Sequence, residues 1–406
     1  MEWMAYTIVG VFTGLTASIM TLIEENSTDF RKNTSDNLIA DIGLPFGWLM
    51  FSGMSAVLVL IATTTTIFWG PGANGSGVAE LMGYLNGINY PNVFGFETFV
   101  TKTFCVVFAV VGGLCVGKEG PLAHIGANIG ICTAYLPLPG FSFLRNDTYK
   151  RRLIAAGTSA GVSAAFGAPI GGALFAYEIS KPNTFWKFSV IWKVFYTCAI
   201  AVFFLALFNS LMNGLEVFEL SSSVLKFGNV DIAPPTLVTL PGSVICGVVT
   251  GLLGSVFVLV NSNLALLRKK HITANWMKIT EAVFFSLFTT SMFFWLPRFL
   301  STERGCKPVS DVDAENMDLL VNFDCPKDQY SPLASMFFNT EGDAIRTIIS
   351  GFESKGGIQF TWEQLLIYFC AWYFFTIVTY GVWVPAGLFL PGIIIGCAVG
   401  GLYAFL

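Results

Sequence analysis

Long apolar runs recur along the chain at lengths near the ~20 residues that an α-helix needs to cross the hydrocarbon core of a bilayer. They predict membrane spans at Trp3–Ile23, Phe46–Trp69, Phe99–Val116, Phe185–Leu211, Val238–Leu267, Thr280–Trp295 and Leu365–Val384. The apolar pieces between them are shorter or rich in glycine, at Ser76–Leu85, Glu119–Tyr135, Ile154–Phe166 and Pro169–Tyr177. This pattern predicts an all-α polytopic membrane protein with many tilted and re-entrant helices.

The composition supports a chain whose solvent is the bilayer. Of the 406 residues, 54% are apolar and only 12% are charged, a balance that a soluble domain of this length would not carry on its surface. The net charge of −4 comes with no basic face suited to nucleic acid. We find no nucleophile–base pair and no paired aspartates in suitable spans, so the sequence does not predict an enzyme.

Charged clusters between the spans predict an orientation. The basic clusters Lys150–Arg152 and Arg268–Lys270 favour the cytosolic side. The acidic or mixed segments Glu24–Asp41 and Asp311–Asp328 are predicted to be loops on the opposite side, and the first carries two possible glycan acceptors, Asn26 and Asn33.

Two of the nine cysteines differ from the others, which lie mostly in apolar spans as small buried hydrophobic residues. Cys306 and Cys325 share the second of those loops, which is predicted to face an oxidising compartment. We therefore predict a disulfide between them.

An internal repeat stands out at the glycines and prolines. Gly117-Lys-Glu-Gly-Pro121 is followed by Gly126 and Gly130, and Gly387-Leu-Phe-Leu-Pro391 is followed by Gly396 and Gly400 at the same intervals. Each copy places a glycine and a proline where a membrane helix must break and restart, so that N–H groups of the new helix point into the protein. Paired interrupted helices of this kind indicate an ion site in membrane transporters.

Glu119 lies within the first copy. A carboxylate in apolar membrane sequence costs free energy, so Glu119 is by default a functional candidate. It lies at the start of a predicted helix, where an arriving anion would compete with its carboxylate, so that protonation of Glu119 would free the site. The residues alone leave a structural alternative open, in which Glu119 caps the helix or pairs with Lys118.

The run Gly112–Lys118 resembles a phosphate-binding loop, but Glu119 stands where a Ser or Thr must hold magnesium, which excludes a nucleotide site.

A second constellation, Gly75-Ser-Gly-Val-Ala-Glu80, precedes a short apolar stretch. The Ser76 hydroxyl between two glycines can donate a hydrogen bond to an anion, or it can act as an ordinary helix N-cap.

The chain resembles the CLC family of chloride channels and chloride/proton exchangers. Its three anion-pathway motifs are matched, in order, by Gly75–Glu80, Gly117–Pro121 and Gly387–Pro391. Further stretches, among them Trp186 to Phe195 and Met336 to Thr340, most resemble the late-endosomal and lysosomal branch.

The resemblance implies roles for matching positions. Ser76 would coordinate chloride, in a family where serine here goes with chloride and proline with nitrate, and Glu119 would be the gating glutamate. The rest of the chloride site would be formed by Gly75, Gly77, Gly117, Lys118, Gly120 and the backbone amides of Leu388 and Phe389. The resemblance also implies two inverted repeats, a homodimer with one pore in each subunit, and chloride rather than a cofactor as the bound species. An accessory membrane subunit is possible.

Departures from the family pattern bear on mechanism. Val78 and Ala79 replace isoleucine and proline in the first motif, which should loosen the turn without removing the hydroxyl donor. After Phe175 the chain has Glu178-Ile179 where exchangers of the family have two glutamates, the second of which takes protons from the cytosol. Ile179 therefore favours a voltage- and pH-dependent channel. Some exchangers of the family lack this glutamate as well, so a chloride/proton antiporter of endosomes or lysosomes with a rerouted proton path is the alternative. Glu178 is either a structural carboxylate, which we favour, or a substitute in the proton pathway.

The expected organisation is a first membrane half over residues 1–210, a connecting loop over 211–237 and a second, incomplete half over 238–406. The family continues with more helices, a tyrosine that also holds chloride and cytosolic nucleotide-sensing domains, so a truncated chain is expected and a non-transporting subunit is a further alternative. An endosomal, lysosomal or vacuolar membrane is the expected location.

The chain has two histidines. His124 is interpreted as a hydrogen-bonded packing histidine and His271 as a solvated one. Two isolated histidines cannot build a catalytic metal site.

Overall fold

The computed structural model describes residues 1–180, 186–212, 237, 239–300, 305–352 and 356–405. Across these ranges the chain forms fourteen α-helices: α1 (Glu2–Asp41), α2 (Leu44–Phe68), α3 (Val78–Leu85), α4 (Phe96–Val111), α5 (Glu119–Ala134), α6 (Asp147–Phe166), α7 (Pro169–Ser180), α8 (Phe188–Met212), α9 (Thr239–His271), α10 (Asn275–Leu300), α11 (Pro332–Phe338), α12 (Glu341–Ser350), α13 (Trp362–Thr379) and α14 (Phe389–Ala404). The described β-structure is small: β1 (Lys307–Pro308) pairs antiparallel with β2 (Gln329–Tyr330), and Gly117 and Gly387 form an isolated bridge.

Helix lengths confirm the predicted all-α membrane fold. Five helices, namely α1, α2, α8, α9 and α10, are long and apolar enough to cross a membrane. The glycine-rich pieces form shorter helices, among them α3 with 8 residues, α5 with 16 and α7 with 12. The N-terminus of α5 is buried among other elements, as the prediction of re-entrant helices requires. The predicted connecting loop, residues 211–237, lies almost entirely outside the described residues.

The prediction of a loop over Glu24–Asp41 is wrong. Helix α1 runs without interruption through this segment for 40 residues, a length of about 60 Å. Glu24, Thr28, Arg31 and Ser35 are buried at intervals of three or four residues, which places them on one face of the helix. The polar residues of this segment therefore face the protein, and the sequon Asn26 lies within a helix, where its side chain donates to Leu22 O.

The two largest hydrophobic cores of the described residues are built from different sets of helices. The first is built from α1, α4, α5, α6 and α8, and the second mainly from α10 to α14. Helix α2 joins them, because Phe51 on α2 packs its ring against Phe294 and Phe338 of the second core. The segment between α10 and α11 carries a disulfide between Cys306 and Cys325, whose Cα atoms are 6.1 Å apart.

The glycines of the two repeat copies differ in their surroundings. A Cβ on Gly126 would collide with the carbonyl oxygen of Gly157 on α6, and a Cβ on Gly130 would collide with that of Leu153. Gly161 on α6 is equally close to the backbone of α5, so the two helices pack backbone to backbone. In the second copy a Cβ on Gly396 or Gly400 would meet no described atom within 4 Å.

Candidate anion site

The three glycine motifs meet through their backbones. The amide of Gly117 donates to the carbonyl of Gly387 at 2.8 Å, and the amide of Gly387 donates back to Gly117 at 2.8 Å. The turn at Gly75 joins them: its amide donates to Val384 O at 3.0 Å, and its carbonyl accepts from Ala386 N at 3.3 Å. Segments far apart in the sequence therefore form one small core of backbone hydrogen bonds.

Helices begin at this meeting point. Helix α5 begins at Glu119, directly after the bridge residue Gly117, and α14 begins at Phe389, directly after Gly387 and its N-cap Leu388. The first turn of a helix has N–H groups without an intrahelical partner, and these carry partial positive charge. The close approach depends on glycine, because a Cβ on Gly387 would lie 2.8 Å from Gly117 O and 2.9 Å from Pro121 Cδ.

Glu119 lies at this junction and is 1% exposed. Its carboxyl oxygens have no side-chain hydrogen-bond partner within the described ranges, and the polar backbone groups that interact with them are the amides of Glu119 and Leu390. The side chain folds back over its own turn, since a Cβ on Gly117 would lie 2.5 Å from Glu119 Oε2. A carboxyl group is thus held beside the bridge of the two repeats by backbone amides of the two helix starts, without the side-chain partner that a buried carboxylate ordinarily has.

Lys118 does not form its ion pair with Glu119. Its ammonium contacts the carboxylate of Glu24 on α1, and both side chains are buried. Of the structural alternatives for Glu119, pairing with Lys118 is therefore absent in this conformation, although the lysine charge still acts on Glu119 through space. Glu24 was missed in the sequence analysis; the polar face of α1 is the signal that would have found it.

Ser76 lies in a left-handed turn. Gly75 and Gly77 adopt φ of +64° and +78°, a region that side chains disfavour, so both glycines are required by the turn. The Ser76 hydroxyl is an acceptor for Val78 N at 3.4 Å, which is a long helix-start contact. Helix α3 still begins at Val78, so the replacements at Val78 and Ala79 leave the turn intact. Tyr380, which sequence reasoning did not select, lies beside the Ser76 side chain.

Two buried basic groups lie under the Ser76 turn. A Cβ on Gly77 would be 2.5 Å from His124 Nδ1 and 2.8 Å from Lys102 Nζ. Both side chains are fully buried, and neither the Lys102 ammonium nor the two His124 ring nitrogens has a hydrogen-bond partner in the part of the chain that the structure describes. His124 is a buried packing residue as predicted, with its ring 5.1 Å from that of Phe94 between centroids, but the predicted hydrogen bond is absent among the described residues. Lys102 was missed because a single lysine in an apolar helix carries no spacing signal.

The remaining predicted residues lie further out. Phe389 is 42% exposed, and its ring lies 6.3 Å from that of Phe166 and 6.4 Å from that of Phe175, measured between centroids. Glu178 lies on an exposed face of α7, whereas Ile179 is buried beside Leu81 and Tyr84. Glu178 therefore does not share the buried junction that holds Glu119.

A sequence profile of the family described as voltage gated chloride channel matches residues 56–406. The chain belongs to this family, the CLC family. Among its curated CLC relatives, Chloride channel protein CLC-a of Arabidopsis thaliana is 33% identical over 425 residues, covering 98% of this chain and 52% of that protein. H(+)/Cl(-) exchange transporter 7 of Homo sapiens is 32% identical over 416 residues, covering 99% of this chain and 50% of that protein. The chain thus spans about half the length of these CLC relatives.

Solved CLC structures share the fold. A slow cyanobacterial Cl-/H+ antiporter superposes with a TM-score of 0.68 at 19% identity, over 98% of this chain and 78% of the other. A eukaryotic CLC transporter gives a TM-score of 0.68 at 20% identity, over 99% of this chain and 59% of the other. The predicted family and the predicted CLC architecture of inverted repeats are confirmed.

Proposed function

We propose that this CLC protein moves chloride across a membrane through a site at the junction of the three glycine motifs. Ser76 supplies a hydroxyl, and the backbone around Gly75, Gly77, Gly117, Lys118, Gly120, Leu388 and Phe389 supplies the remaining donors. The observation that carries the proposal is the buried Glu119 carboxyl group, which lies at this junction, interacts with the backbone amides of Glu119 and Leu390 and has no side-chain hydrogen-bond partner among the described residues.

The chemistry of the junction suits an anion. Two helix starts bring N–H groups to one place, and such starts favour negative charge. The Lys118 ammonium adds positive potential from beside Glu119, and the Lys102 amino group lies below the Ser76 turn. The Glu119 carboxylate competes with chloride for the same environment while it is ionised. A proton on Glu119 removes that competition, so the site couples chloride movement to pH.

Within this proposal we favour a voltage- and pH-dependent channel. The position that carries the proton glutamate in CLC exchangers is Ile179, which is apolar and buried, and Glu178 faces outward. The alternative is a chloride/proton antiporter with a different proton route, which the names of the exchange transporter 7 and of the cyanobacterial antiporter support. A second alternative is a subunit that does not transport alone.

We also propose two membrane halves over residues 1–210 and 238–406, a homodimer, and an endosomal, lysosomal or vacuolar location.

Reversal potentials separate the channel from the antiporter. In vesicles with a fixed chloride gradient, we expect the reversal potential to follow the chloride gradient alone and to stay unchanged when a pH gradient is added, because Ile179 cannot carry a proton. A shift of the reversal potential with the pH gradient would show coupled proton movement and would contradict the channel. The absence of any chloride flux would favour the subunit that does not transport alone.

Replacing Ser76 with alanine tests the proposed chloride ligand. The change removes one hydroxyl donor to a charged species, a bond whose contribution is about 1.5–3 kcal/mol, so we expect chloride affinity to fall by at least about tenfold. Isothermal titration of the purified protein with chloride would measure this loss. Ser243→Ala, which removes an exposed hydroxyl bonded to Thr239 O, is the matched control and should leave the affinity unchanged. Equal affinities in both variants would exclude Ser76 as a ligand.

A further inference from the structure

Helix α9 has two polar side chains that point into the protein. Of its 33 residues only Gly242 is buried, and the helix is long and apolar enough to cross a membrane. Asn261 and Arg268 are both partly buried. They lie seven residues apart, which is close to two helical turns, so they share one face of α9. A polar group in such a helix is costly and therefore calls for a role.

Both side chains donate to backbone carbonyls at the C-terminus of α13. Asn261 Nδ2 donates to Ile377 O and to Tyr380 O, each at 2.9 Å. Arg268 Nη1 donates to Tyr380 O at 2.8 Å, and Arg268 Nη2 donates to Val378 O. The last carbonyls of a helix have no partner within the helix, and the hydrocarbon of a membrane supplies none. Helix α9 therefore supplies donors that fix the end of α13.

A third helix orients the Arg268 guanidinium. Arg268 Nε donates to Glu281 Oε1 on α10 at 2.5 Å, and only 13% of the Arg268 side chain and 12% of the Glu281 side chain are exposed. The carboxylate holds the planar group so that both terminal nitrogens face the carbonyls of α13. The next residues, Lys269 and Lys270, are exposed, so Arg268 differs from the rest of its basic cluster.

The turn that follows α13 passes directly beside this guanidinium. Gly381 adopts φ of +97°, and a Cβ on Gly381 would lie 3.0 Å from Arg268 Nη1. The turn is closed by its own hydrogen bonds, from Val382 N to Thr379 O at 3.2 Å and from Val384 N to Val382 O at 2.8 Å. These bonds leave little freedom between the end of α13 and Val384, so a displaced helix end would displace Val384.

Val384 supports the turn that presents Ser76. Its carbonyl accepts the Gly75 amide at 3.0 Å, and Gly75 O accepts from Ala386 N at 3.3 Å. Ser76 follows Gly75 directly and supplies the hydroxyl of the proposed chloride site. A continuous series of backbone hydrogen bonds therefore connects the end of α13, which α9 holds, with the Ser76 turn.

We propose that Asn261 and Arg268 are positioning residues of the chloride site. By fixing the C-terminus of α13 they set the geometry of the Ser76 turn, and through it the affinity of the site for chloride. This inference rests on the chloride site proposed above. Neither residue belongs to the three motifs that form that site, so their effect passes through the backbone and depends on hydrogen-bond geometry rather than on charge.

Three variants separate geometry from charge and from helix contact. Arg268→Lys keeps the positive charge beside Glu281 but loses the planar fork that reaches two carbonyls. Asn261→Leu removes the amide donor and keeps a side chain of similar size. Tyr373→Phe is the matched control, because the Tyr373 hydroxyl donates to Leu253 O at 2.7 Å. This change removes a hydrogen bond between the same two helices, away from the end of α13.

Two measurements on the purified protein test the proposal, both made below the unfolding midpoint of every variant. Isothermal titration with chloride should show an affinity about tenfold lower in Arg268→Lys and in Asn261→Leu, as is found when residues that orient a ligand are changed. In Tyr373→Phe the affinity should be native. Amide hydrogen exchange read by mass spectrometry follows the turn itself. Peptides that contain Gly75 and Ala386 should exchange faster in the first two variants than in the control.

The proposal is overturned if these peptides exchange equally fast in all three variants, because the turn would then not depend on α9. It is also overturned if Ser76→Ala lowers chloride affinity while Arg268→Lys and Asn261→Leu do not. Asn261→Leu alone gives the answer, by the same two measurements, if Arg268→Lys does not fold. If Ser76→Ala leaves the affinity unchanged, the chloride site is wrong, and hydrogen exchange still shows whether α9 positions the turn.

Discussion

Replacing Glu119 with glutamine is expected to raise chloride conduction severalfold and to abolish its dependence on pH. Glutamine is close in size to glutamate but carries no charge at any pH, so it cannot compete with chloride for the helix starts at the glycine bridge. In the native protein that competition depends on the protonation of a side chain that is 1% exposed. Chloride currents in vesicles, recorded over a series of pH values for both proteins, measure the effect.

The matched control for this change is Glu97→Gln. Glu97 also lies in the first turn of a helix, α4, but its side chain is exposed. We expect its currents and their pH profile to equal those of the native protein. If Glu119→Gln retains the native pH profile, Glu119 is only a helix cap and the gate must be sought elsewhere.

The second large effect is expected on stability, from a change in the repeat. Gly126→Val should lower the free energy of unfolding by several kcal/mol, because the valine side chain would collide with the backbone of α6 at Gly157. Overpacking costs about 1–3 kcal/mol even in cores that can adjust. Neither partner can move aside as a flexible side chain would, since both are helix backbone. The thermal unfolding midpoint of the purified protein in detergent, with its elution profile, measures the loss.

The internal repeat supplies the control for this change. Gly396 occupies the same position in the second copy, and a Cβ there would meet no described atom within 4 Å. Valine has a better intrinsic helix propensity than glycine, so Gly396→Val should be neutral or slightly stabilising in the same measurement. Equal losses in the two variants would mean that valine harms these helices for a reason other than the contact with α6.

Sequence by itself determined the class of protein and the positions of the key turns. The spans follow from hydropathy, which is a local property, and the break points follow from glycine and proline, which act on their own backbone. The spans and the break points can both be predicted without knowing which other segments of the chain they contact. For this reason the three motifs at Gly75, Gly117 and Gly387, the helix starts that follow them and the family were all available from the chain alone.

Only the tertiary structure decided which charges face each other. The segment after Glu24 reads as a polar loop, yet its polar residues lie on one buried face of α1, and Glu24 there contacts Lys118. Lys102 carries no spacing signal, and it acquires importance only because folding buries it beneath the Ser76 turn. Burial and long-range contact set the energy of a charge in a protein, and neither is a property of the residues next to it in sequence.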